Sequence, residues 1–87
     1  MAQVILENLS NRLIRFSIFI SLSDTVNTLK IRAISEQKLS CVPRELFIYY
    51  DHLVKEPIAI ENELSTVFND SNGKFILYFE IDRQIGT

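Results

Sequence analysis

The side chains able to do acid–base or nucleophilic work are few: one histidine, His52, and one cysteine, Cys41, in 87 residues. General acid–base catalysis needs a group that titrates near neutrality, positioned against a partner in a pocket. His52 follows Asp51 in a segment that reads as an exposed turn. Cys41 as a nucleophile would need a base beside it; none is implied, and a small buried filler is its expected role. Metal sites take several His or Cys at short spacing, which one of each cannot supply. The two glycines form no phosphate loop. The six Phe and three Tyr lack the interleaved cations of a single-strand nucleic-acid platform. The expectation is a non-enzyme with no metal, no cofactor and no nucleic-acid partner.

Binding chemistry is better represented. Residues 1–44 hold six cations against three acids, a net of +3, and residues 45–87 hold three against eight, a net of −5. That asymmetry predicts a domain with one basic and one acidic side, the basic one carrying Arg12, Arg15, Lys30 and Arg32. The net charge of −2 gives no overall field for nucleic acid. With 47% apolar residues, the chain can build one core and one domain spanning 1–87. A single cysteine excludes an internal disulfide, no apolar run is long enough to span a bilayer, and no signal segment is evident. A cytoplasmic or nuclear setting without a membrane partner is therefore expected.

Several elements must position these groups. Val4 to Leu9 reads as a strand, Ser10-Asn11-Arg12 as a turn, and Leu13 to Ile20 as a second strand. In that second run Phe16, Ile18 and Ile20 share one face, and Arg15, Ser17 and Phe19 the other. Ser23 or Asp24 is a ready cap for a helix from Thr25 to Lys38, with Val26, Leu29, Ala33 and Ile34 as its apolar stripe. Leu46 to Tyr50 is aromatic and branched, as strands are. Leu53-Val54 and Pro57 to Ile60 suggest a short irregular edge strand, and Leu64 to Phe68 a brief helical turn. Ser71-Asn72-Gly73-Lys74 signals a turn before a last strand, in which Phe75, Leu77, Phe79 and Ile81 oppose Ile76, Tyr78 and Glu80. The order is ββαβ(β)β, an α+β domain.

This layout resembles ubiquitin. From Val4 to about Ile34 the correspondence needs no gap and includes Ser23-Asp24-Thr25 and the trio Val26, Leu29 and Lys30. Val42-Pro43 is similar to the Ile-Pro after the family helix, and Phe47-Ile48-Tyr49 to its Leu-Ile-Phe strand. Leu64-Ser65 resembles the opening of the late loop, with Phe75 starting the final strand eleven residues later. The resemblance implies a β-grasp fold, ββαββ with a mixed sheet on one helix. The departures imply a ubiquitin-like domain that is not conjugated: the chain ends Arg83-Gln84-Ile85-Gly86-Thr87 without a Gly-Gly pair, and His52 replaces the common chain-building lysine. Several additional residues between Leu53 and Leu64, around Lys55 to Glu63, form a loop of its own.

The resemblance also implies where partners bind. The family's apolar sheet patch maps onto Ile48 and Tyr78, with Ile76 adjacent, Tyr50 and His52 at the margin, and Asn11 where a hairpin leucine would sit. The expected function is a protein-interaction module or adaptor for a ubiquitin-type receptor, such as a proteasome or adaptor subunit. Ras-binding domains share the β-grasp layout and meet a small GTPase through cations on the second strand and helix, so Arg12, Arg15, Lys30 and Arg32 form the alternative site. A structural subunit of a larger assembly, for example an RNA-processing complex, is the third reading.

Overall fold

The period-two segments become four strands and the capped stripe becomes one long helix. The computed structural model describes residues 1–53, 56–69 and 73–82. In chain order these form β1 (Ala2–Asn8), β2 (Arg15–Ile20), α1 (Val26–Gln37), a 3-10 turn (Pro43–Glu45), β3 (Leu46–Tyr49), α2 (Leu64–Val67) and β4 (Ile76–Ile81). The sheet order is β2-β1-β4-β3. β1 runs antiparallel to β2 and parallel to β4, and β3 runs antiparallel to β4. This is a small α+β domain whose mixed sheet and single main helix match a β-grasp arrangement.

Alternation sorts each strand cleanly. Val4, Leu6, Ile18, Ile20, Leu46, Ile48, Leu77 and Phe79 point inward and are buried, as are Val26, Leu29 and Ala33 on the facing side of α1. Leu64, Val67 and Phe68 of α2 and its end close the core. The tilted contact of Phe16 with Phe79, centroids 5.3 Å apart, ties β2 to β4 across β1. Ile34, placed in the apolar stripe, is half-buried at its margin.

The helix starts one residue later than Ser23 or Asp24 would set it. Residues 21–24 are taken up by a turn in which Ser23 N–H donates to Ser21 Oγ and Asp24 N–H to the Ser21 carbonyl. The Asp24 carbonyl accepts from Leu64 N–H. Thr25, held extended by its bridge to Glu63, is the cap, and its Oγ1 accepts from Thr28 N–H at 3.3 Å. Because that bond is long, Thr25→Ala is expected to cost about 0.5–1 kcal/mol, read as a lower thermal midpoint with the far-UV spectrum unchanged. At the other end Lys38 adopts φ 53° and donates its N–H to the Ile34 carbonyl, which closes the helix.

The loop after β3 forms no strand among its described residues; Val54 and Lys55 lie outside them. Pro57 has no N–H for a ladder, and Ile58 N–H donates to the Ile48 carbonyl, joining this loop to β3. Its carbonyls serve the helix instead. Val26 N–H donates to Asn62 O and Asn27 N–H to Ile60 O, satisfying first-turn donors that a helix cannot satisfy itself. This loop thus docks α1 at its N-terminus. Of the Ser71-Asn72-Gly73-Lys74 turn, only Gly73 and Lys74 are described, and Gly73 has φ 81°, the left-handed region glycine enters freely. Arg83 to Thr87 also lie outside the described residues.

Candidate protein-binding face

Since α1 packs on the inner face, the outward positions of all four strands share the opposite surface, which no helix among the described residues covers. The ladders align Gln3 with Phe19, Ile5 with both Ser17 and Ile76, Glu7 with both Arg15 and Tyr78, Tyr49 with Tyr78, and Phe47 with Glu80. An apolar diagonal therefore runs from Phe19 through Ile5 and Ile76 to Tyr78 and Tyr49. Phe19 is 57% exposed; the others are half-buried by their neighbours. Burial raises the Tyr49 hydroxyl above the usual tyrosine value, and the negative fields of Glu80 and Asp82 raise it further.

Beyond the Tyr49–Tyr78 pair, β3 ends and the chain leaves the flank of β4. The gap is a cleft of about 280 Å³. Tyr50 and Asp51 form one wall, Lys74, Ile76 and Tyr78 the other, with Leu77 and Phe68 behind. Phe68 is braced by Phe75, their centroids 5.0 Å apart. His52 is exposed and meets Tyr78 edge-on at 5.8 Å. The cleft has an apolar floor and a polar rim of phenol, carboxylate and ammonium groups, the composition of a small anchor pocket.

Four residues of the expected patch, Tyr50, His52, Ile76 and Tyr78, come together around this cleft. Ile48 does not. It is 1% exposed and pairs with Phe79 in the core, so its expected place on the outer surface is corrected. The uninterrupted apolar run Leu46 to Tyr50 does not reveal its own inward face. The pairing with β4 settles it, turning Leu46 and Ile48 toward α1 and Phe47 and Tyr49 outward. Asn11 is occupied with hairpin geometry, its Oδ1 accepting from Leu13 N–H. The apolar residue at that tip is Leu13, 91% exposed, because β2 begins at Arg15 and not at Leu13. Phe19 and Ile5 also belong to the surface. The alternation of Leu13 to Ile20 had already set Phe19 opposite the core, and an outward Phe is the signal that would have marked it.

The four cations of the alternative site are otherwise engaged. Arg12 and Arg15 both reach Glu7, at 3.1 and 3.8 Å. Arg32 Nε donates to Glu36 Oε2 at 2.7 Å, one helical turn on. Lys30 lies 7% exposed on the buried side of α1, with Nζ 6.0 Å from the Phe47 ring centroid. Phe47, outward by register, and Lys30 thus approach each other at the outer edge of β3. Burial pushes the Lys30 ammonium below the usual lysine value, and the field of Cys41 acts against that shift.

No protein-family model matches the chain, and no curated protein matches it. Among the described residues, no helix is long and apolar enough to cross a membrane, and no group of three or more His, Cys, Asp or Glu side chains could hold a metal ion.

Proposed function

We propose that this chain is a non-enzymatic, ubiquitin-like interaction module that binds a protein partner, in the first instance a ubiquitin-type receptor such as a proteasome or adaptor subunit, through its outer sheet face. The observation that supports this is the apolar diagonal left uncovered on one side of a single-layer sheet. Four strands at ~4.8 Å spacing and about six residues at ~3.4 Å give a face on the order of 400 Å². The apolar diagonal takes part of that face, between Gln3, Ser17, Glu7 and Glu80, and exposed apolar surface on small monomers commonly marks partner sites. A face of that size belongs with transient interfaces, not permanent ones. Tyr78 supplies a broad ring with a polar tip, the type of residue enriched among binding anchors.

Calorimetric titration of receptor fragments tests the reading. Ile76→Ala and Tyr78→Ala are expected to weaken binding at least about five-fold each, with little change between low and high salt because the contacts are apolar. Equal affinity for both variants and the parent chain would overturn it. A steep salt dependence with loss on Arg32→Ala would move the site to the cations of β2 and α1.

A further inference from the structure

We propose that the outer sheet face is self-complementary, and that two copies of this chain pair through it about a two-fold axis parallel to the strands between β1 and β4. The inference rests on the same face as the proposed function and adds a specific occupant, a second copy.

Such an axis sets β2 of one copy over β3 of the other and β1 over β4, at equal heights along the strands. The ladder alignments give those heights. Phe19 stands level with Gln3 on the β2 margin. The cleft lies near the same level on the β3 side, because Ile5 is level with Ile76 and Lys74 precedes it by two residues. Phe19, the exposed aromatic of this face, is therefore the knob, and the cleft of the second copy is the hole. Its volume of about 280 Å³ is ample for a benzyl side chain, since an apolar cavity of roughly 150 Å³ already accepts benzene. At the centre, Ile5 of each copy meets Ile76 of the other.

Charge follows the same symmetry. The sheet order gathers β1 and β2, from the basic half of the sequence, on one side and β4 and β3, from the acidic half, on the other. On the basic side Arg12 and Arg15 share one carboxylate, Glu7, which leaves one positive charge in excess. On the acidic side Glu80 faces outward, and its negative field, with that of Asp82, adds to burial in raising the Tyr49 hydroxyl. The rotation sets Arg15 level with Tyr49 and Tyr78 of the second copy, two residues from Glu80 along β4 and within reach of a long side chain, at both ends, so that each contact occurs twice. With about half the area of a standard interface per partner, the dimer is weak.

Sedimentation equilibrium of the intact chain from about 1 μM to about 1 mM reads this directly. The expected result is a monomer–dimer equilibrium that stops at two. Phe19→Ala, folded by circular dichroism because the side chain is exposed, weakens it about ten-fold or more. Arg15→Glu and Glu80→Arg each weaken it, and the double variant restores it. A parent chain that stays monomeric throughout, open-ended growth, or a double variant no better than the singles overturns the proposal. Monomers that still lose a receptor on Ile76→Ala and Tyr78→Ala would overturn self-pairing alone and leave the interaction module standing.

Discussion

Phe79→Ala is expected to lower the unfolding free energy by about 3–5 kcal/mol, the usual cost of emptying a buried aromatic site. Phe79 is 1% exposed, packs against Phe16 and sits on β4 between β1 and β3, level with Asn8 and Ile48. Removing the ring takes away the Phe16 contact that ties β2 to β4, and α1 cannot collapse into the gap without pulling Val26 and Leu29 out of the core they share with the sheet. Small domains hold only about 5–15 kcal/mol in total, so the variant should approach half-unfolding near body temperature. In urea, with a slope of ~1.5 kcal/mol per molar, the midpoint should fall by roughly 2–3 M. A drop below about 0.5 M would mean that Phe79 is not at the centre of the core.

Lys30→Met is expected to act the other way, raising stability by about 1–3 kcal/mol at neutral pH. Replacing buried charge with an apolar side chain of similar length is commonly stabilising on this scale. The Lys30 residue is largely buried, and no carboxylate among the described residues lies within salt-bridge distance of it. The Phe47 ring, at 6.0 Å, is at the limit of a useful cation–π contact. The pH dependence follows from the direction of the shift. Because burial lowers the Lys30 value in the folded state, the unfolded chain binds more protons between that lowered value and 10.5. Stability therefore rises with pH across that window, and the rise vanishes in Lys30→Met. Above pH 10 Tyr49 opposes it: its folded value is raised, so the unfolded chain loses its proton first and stability falls. Equilibrium unfolding followed from pH 7 to 10 separates the two. A Lys30→Met variant less stable than the parent would show that the ammonium makes a net favourable contact.

Most of the fold was legible because its signals are local. The alternation in Phe16 to Ile20 and Phe75 to Ile81 needs only a period of two, and the stripe Val26, Leu29, Ala33 needs only a helical one. The candidate site was legible where the same rule applied, for Ile76 and Tyr78. It was not legible at Ile48, where five consecutive apolar residues fit either face and only the pairing with β4 decides. Nor could local pattern show that Thr25, not Ser23 or Asp24, caps the helix, since the bridge from Glu63 that fixes it crosses 38 residues of sequence. The pairing of the basic side was not legible for a related reason. Net charge along the chain counts Arg12, Arg15 and Arg32 but not the carboxylates that meet them, and it cannot tell that Lys30 turns inward.

Amide chemical-shift mapping during titration with a ubiquitin-receptor fragment tests the uncovered sheet face most directly. The perturbed amides should cluster at Ile5, Phe19, Ile76 and Tyr78 and at the cleft residues Tyr50 and His52, with Ile31, Arg32 and Glu36 on α1 unmoved. Perturbations confined to α1, with the outer sheet positions silent, would contradict the account.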